Sequence, residues 1–263
     1  MWGTVSMYRL LKFPIHLFIL FPSILYAQQN SFKEGLALEQ AFKTEEALKK
    51  FELALKENPN HPKAYTHASR MLSNIGGRTP KSRLEDKRKY LEKARSYAIK
   101  AIEISPLDPD ARLAHIISLG LLSEISRNPR EKVLDAQLIH AEAKKILELD
   151  SLYGEAYFVL GKWQLELSRL NWLELLACKI LFGGLPEEIS KQAALDYFNK
   201  SLTLNPNSIL YLFGQASAYA DLGEKEKAIA VLQKALKLPL AEPDDEQRKE
   251  RCKNLLTELQ KKS

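Results

Sequence analysis

Cysteine, glycine and proline are all scarce in this 263-residue chain, with 2, 11 and 12 copies. The two cysteines, Cys178 in an apolar run and Cys252 in a charged one, can pair if the chain is secreted. A chain of this length with 45% hydrophobic residues needs no such staple to build a core. Strand-like stretches are missing as well, since β-branched and aromatic residues nowhere alternate with polar ones for long. Runs rich in Ala, Leu, Lys and Glu recur instead and favour helix throughout. An all-α fold is expected.

Catalytic and ligand-binding constellations are also absent. The five histidines (16, 61, 67, 115 and 140) show no metal-ligand spacing, and neither cysteine has a ligating neighbour in sequence. His140 and Glu142 stand two apart, on different helix faces. No nucleophile elbow, phosphate loop or dinucleotide fingerprint occurs. Asn199-Lys200-Ser201 fits a glycosylation sequon but falls inside a predicted helix. The pair Asp244-Asp245 reads as a complement to a helix start. No enzyme activity, cofactor or metal is expected.

The basic stretch RTPKSRLEDKRKYLEKAR (78–95) holds eight Lys/Arg against three acids. It reads as solvated helix surface, with an acidic partner or anionic lipid as the alternative. Aromatic residues are not interleaved with the charge, so no nucleic-acid partner is expected.

Residues 1–27 differ in kind. Arg9 and Lys12 lead into FPIHLFILFPSIL (13–25), and LYA ends at Ala27. The apolar run is shorter than the roughly 20 residues a bilayer span needs, and Ala27 offers a small residue for cleavage. The segment reads as a secretory signal peptide, leaving residues 28–263 as one domain. An uncleaved N-terminal membrane anchor is the alternative. No cysteine follows the cleavage position, which argues against a lipoprotein.

What is abundant is alanine at fixed intervals. On a 34-residue ruler with Ile209 as offset 1, Ala216, Tyr219, Gly223, Ala228, Leu232 and Ala235 fall at offsets 8, 11, 15, 20, 24 and 27. Started at Gln28, the same ruler places Gly35, Ala47, Phe51, Ala54 and Pro59 at offsets 8, 20, 24, 27 and 32. These are the positions of the tetratricopeptide repeat, a pair of antiparallel helices. Small residues at offsets 8, 20 and 27 let the helices approach, and a large one at 24 fills the gap between neighbouring pairs. Proline near offset 32 stops the second helix.

Three middle copies keep the second-helix positions: Ala94, Ala98, Ala101 and Pro106; Ile139, Ala143, Ile146 and Ser151; Ala194, Phe198, Ser201 and Pro206. Offsets 8 and 20 lie 12 residues apart in the end copies, but 25 (Ser69 to Ala94), 23 (Ile116 to Ile139) and 33 (Gly161 to Ala194) in the middle ones. Lengthened helices and added turns at one edge account for this more simply than long loops. The expected architecture is a tetratricopeptide-like α-solenoid of about five helix pairs, three with lengthened centres, plus a C-terminal capping helix near 244–261. Ile75-Gly76-Gly77 and Phe182-Gly183-Gly184 read as helix stops.

Residues 161–207 with 232–250 resemble the tetratricopeptide domain of the regulator of microtubule dynamics family. Gly161, Trp163, Trp172, Phe182, Pro186, Ala194, Phe198, Lys200 and Leu238-Pro239 carry the likeness, which covers roughly residues 62–255. It implies a helical interaction domain without catalysis, which in eukaryotic members accompanies microtubule and organelle-membrane roles. A secretory leader would place the domain where microtubules are absent, so that role is not expected here. The leader, ending LYAQQ, looks like that of a Gram-negative bacterium exporting a repeat protein to its periplasm.

Two features are candidates for binding. First-helix offsets 2, 5, 9, 12 and 13 line the concave face of such a solenoid, and they supply Lys63, Arg70 and Asn74, then Glu155, Phe158 and Lys162, then Phe213 and Asp221. Basic and amide groups beside apolar ones suit a protein or peptide partner, provided the lengthened edge leaves the groove open. The second candidate is 171–186, apolar on nearly every face. It either packs beneath the lengthened helices or meets a partner or membrane through Trp172, Leu176, Leu181 and Phe182.

Overall fold

A computed structural model describes residues 20–182 and 189–261, and all regular elements among them are helical. Twelve α-helices follow in order: α1 (Leu20–Gln40), α2 (Thr44–Glu57), α3 (Pro62–Arg78), α4 (Leu84–Ile104), α5 (Pro109–Ile125), α6 (Pro129–Leu149), α7 (Gly154–Ser168), α8 (Trp172–Phe182), α9 (Lys191–Leu204), α10 (Ile209–Asp221), α11 (Lys225–Lys237) and α12 (Asp245–Lys261). A 3-10 turn (Lys81–Arg83) precedes α4. Five hairpins, α1/α2, α3/α4, α5/α6, α7/α9 and α10/α11, stack side by side, and α12 packs on α10 and α11 as a cap. The expected solenoid is present. α1 starts within the segment read as a leader, and residues 1–19 lie outside the described residues.

Prolines set the frame. Pro62, Pro109 and Pro129 occupy the first turn of α3, α5 and α6, where a missing N–H costs nothing. The residue before each accepts an orphan amide: His61 Nδ1 from Ala64 (3.2 Å), Asp108 from Asp110 (3.1 Å) and Asn128 from Arg130 (3.0 Å). Second helices stop just ahead of Pro59, Pro106 and Pro206.

The small residues sit at the crossings. Ala47, Ala94, Ala194, Ala228 and Ala235 are fully buried. Ser69 Oγ donates to the Ala94 carbonyl at 2.7 Å, joining offsets 8 and 20 of the second hairpin directly. A Cβ on Gly35 would lie 2.6 Å from the Phe51 ring, and one on Gly161 2.8 Å from Phe198 and 3.2 Å from the Ala194 carbonyl. Phe198 also reaches the next hairpin, where a Cβ on Gly214 would stand 2.6 Å from its ring. In the first and fourth hairpins the large side chains at offset 24, Phe51 and Phe198, thus fill the gaps that small ones create.

Two details of the repeat differ from the sequence reading. The α3 helix runs through Gly76 and Gly77 to Arg78. Gly76 is a close-approach residue, since a Cβ there would meet Leu91 at 2.7 Å; Gly183 and Gly184 lie outside the described residues. In the second and third hairpins the surplus does lengthen helices, α4 and α6 having 21 residues against 14 in α2. In the fourth, α7 and α9 stay at 15 and 14 residues, and the surplus includes the separate helix α8.

That helix is not buried. Cys178 faces inward, but Trp172 is 71%, Leu173 57%, Leu176 43% and Ile180 71% exposed. An Asn171/Glu174 capping box closes its start: Asn171 Oδ1 accepts from Leu173 and Glu174 amides at 3.0 Å, and Glu174 Oε2 accepts from the Asn171 amide at 2.8 Å. The side chains of Leu181 and Phe182 lie outside the described residues.

The acidic pair ahead of α12 is used differently from a simple cap. Asp245 is buried and accepts from the Ala241 and Glu242 amides (2.9 and 2.8 Å) and from Arg248 (2.9 Å). Asp244 accepts two bonds from Arg78, at 2.8 and 2.6 Å, while Arg78 also donates to Thr44. Since Arg78 ends α3 and Asp244 precedes α12, the array curls far enough to clasp its second hairpin to its cap.

Candidate partner-binding surface

Curling brings α7, α10 and α12 around a cavity of about 460 Å³, within the range of small-ligand and peptide-side-chain sites. Of the concave-face positions predicted from the fourth and fifth hairpins, Phe158, Lys162, Leu165, Glu166, Leu210, Phe213, Ser217, Ala220 and Asp221 line it. The predicted Phe158, Lys162, Phe213 and Asp221 are therefore brought together.

Packing holds the aromatic wall rigid. Phe158 stacks on Tyr211 at 5.2 Å and tilts against Phe198 at 5.7 Å. Arg251 of α12 lies over the Phe213 ring at 4.5 Å, within cation–π range. Arg169 donates to Asp221 at 2.6 Å and to Glu166 at 3.1 Å, bracing the mouth. Lys162 is 3.4 Å from Glu124, an exposed pair of the kind that contributes little and is easily exchanged.

The remaining predicted residues stand elsewhere. Lys63 bridges Asp108 (3.1 Å) and Asp110 (2.9 Å), joining the second hairpin to the third rather than awaiting a ligand. Burial would raise the Asp110 carboxyl, but the Tyr153 hydroxyl and Lys63 ammonium hold it below the usual carboxylate value. Arg70 is half-exposed and 3.9 Å from Glu39; Asn74 is half-buried on α3. Glu155 stands near the Tyr211 phenol, whose pKa is raised first by burial and then by nearby carboxylates.

Sequence reasoning missed the contribution of α12. Arg251, Asn254, Leu255 and Glu258 share one helix face at i, i+3, i+4 and i+7 and close the far side of the cavity. Spacing alone reveals that face; its direction depends on how α12 docks against α10 and α11.

Reactive chemistry is not evident at the cavity. Cys178 and Cys252 are buried free thiols, and burial pushes Cys252 up to about 11. Among the described residues no cluster of three or more His, Cys, Asp or Glu is arranged to hold a metal.

Comparison with known proteins agrees with this architecture. Residues 32–260 match the family described as Regulator of microtubule dynamics protein 1-3. The chain is 28% identical over 173 residues to Regulator of microtubule dynamics protein 1 of Caenorhabditis elegans, covering 65% of this chain and 75% of that protein. It is 25% identical over 182 residues to the human Regulator of microtubule dynamics protein 2, of which only 43% is spanned. Among solved structures, a thermophilic TPR protein from Thermus thermophilus superposes with a TM-score of 0.64 at 18% identity, covering 88% of this chain and 99% of that one. That likeness shows the fold, an array of stacked helical hairpins. With the family match running through all five hairpins and the cap, the chain belongs to the regulator of microtubule dynamics family.

Proposed function

We propose that this chain is a non-enzymatic scaffold or adaptor that captures a protein or peptide segment in the concave cavity between α7, α10 and α12. The observation that carries this reading is the pairing of fixed aromatic walls, Phe158 and Phe213, with Lys162 and Arg251 on opposite sides of one preformed cleft. Apolar side chains of a partner fit the aromatic wall, and the two cations suit a carboxylate or backbone carbonyl. A preformed cleft also avoids the ordering cost of a flexible binder.

Lys162→Glu combined with Ser217→Arg reverses one cation and fills the cavity while leaving the helix crossings untouched. Affinity capture with this variant is expected to lose the partner that the unmodified chain retains, at unchanged helicity. Arg70→Glu, away from the cavity, is expected to retain it. Capture at undiminished affinity by the double variant would remove the cavity from consideration.

The apolar lead and small residue at Ala27 support export, and the leader's pattern supports a periplasmic setting in a Gram-negative bacterium. Mass spectrometry of the native protein tests this: a mature chain starting at Gln28 is expected. An intact N-terminus would instead make the protein membrane-anchored, leaving the cavity reading untouched.

A further inference from the structure

The exposed apolar side chains of α8 are not scattered. At about 100° per residue, Trp172, Leu173, Leu176 and Ile180 fall within about 100° of one another, while Cys178 faces inward. This stripe lies on the edge where each first helix turns into its second. α8 packs on α6, and the ends of α3 and α5 meet where a Cβ on Gly77 would lie 3.9 Å from Leu121. Arg88, Ser126 and Glu131 line one cleft along the same edge. Lys81, Lys89, Arg127, Arg130 and Lys132 are exposed there, and among the described residues none has an acidic partner within 4.0 Å.

We propose that this edge docks on an anionic lipid surface, with the α8 stripe in the interface and the five unpaired cations against headgroups. No helix among the described residues is long and apolar enough to cross a membrane, so α8 lies along the surface. An exposed tryptophan beside aliphatic residues suits the headgroup boundary. Eleven residues span only about 16 Å, and four side chains fall well short of the ~800 Å² per partner of a stable protein interface. A lipid surface meets the whole edge at once and uses its charge as well. This inference is independent of the concave-cavity reading.

The full chain is mixed with phosphatidylcholine vesicles and with vesicles containing phosphatidylglycerol, and hydrogen exchange is followed peptide by peptide. Protection of 172–180 and 81–89 is expected on the anionic vesicles alone. Trp172→Ser with Ile180→Ser is expected to abolish that protection in α8. Lys81→Glu, Arg130→Glu and Lys132→Glu together are expected to lower vesicle partition about a hundredfold. Unchanged exchange in α8 while the chain floats with vesicles would overturn the proposal, assigning binding to another segment. Protection by soluble polyglutamate but not by vesicles would also overturn it, in favour of an acidic protein.

Discussion

In the first and fifth hairpins the chain passes between helices in three residues, 41–43 and 222–224. Between them, the second hairpin adds a 3-10 turn, the third extends both helices, and the fourth interposes a whole helix. The crossings barely register these changes. At offset 20, Ala47, Ala94, Ala194 and Ala228 are buried alike in short and long units, and only the third hairpin departs, with the half-buried Ile139 there. Packing where the helices meet limits side-chain size, whereas the edge faces solvent and tolerates added turns. New surface therefore accumulates at the edge while the scaffold stays constant.

Apolar clusters lie beneath the first, third and fifth hairpins alike. Beside its cluster the third also holds a largely buried Arg112–Glu142 ion pair (2.6 Å) and His115, neither of whose ring nitrogens has a partner. Burial, with Arg95 and Arg112 adding to it and Glu142 opposing, depresses the pKa of His115.

The comparison breaks most strongly at a shared crossing. Gly161→Leu drives a side chain into Phe198 and the Ala194 backbone, and a loss of about 3 kcal/mol is expected in denaturant unfolding. Ala228→Leu in the fifth hairpin is expected to cost about 2 kcal/mol by the same measurement; a neutral result would show that the end crossings are looser than the middle ones.

The pH dependence sharpens the contrast between interiors. Folding favours the neutral His115 ring, so its contribution is present above its ordinary pKa of 6.5 and is lost as pH falls through the lowered folded value. Thermal melts of His115→Leu are expected to show a flatter decline between about pH 7 and 5 than those of the unmodified chain. The smallest effect is expected at the permissive edge. Gly120 lies in α5 with nothing closer than 3.9 Å to an added Cβ, so Gly120→Ala is expected to stabilise by up to about 1 kcal/mol.

Much of the fold was legible because the repeat writes itself in side-chain size. Gly35, Ser69, Gly161 and their partners at offset 20 have to be small wherever two helices touch, and a fixed spacing reveals them. The course of α8 was not legible. Its residues 172–182 are apolar on nearly every face, and uniform hydrophobicity carries no directional information. At the cavity, Phe158, Lys162, Phe213 and Asp221 followed from helix periodicity alone. Arg251 and Leu255 did not, because their placement depends on how α12 docks against α10 and α11, and α12 stands beyond the last repeat, where the 34-residue ruler no longer applies.

The bond between Arg78 and Asp244 changes how such an array comes apart. A linear stack frays from its free ends, since each terminal unit has a neighbour on one side only. Here the segment leading into the cap is fastened to the second hairpin, outside which only the first hairpin remains a free end. Loosening the start of α12 has to break that fastening as well as its packing on α10 and α11, so fraying is expected to be slower at the cap than at the first hairpin.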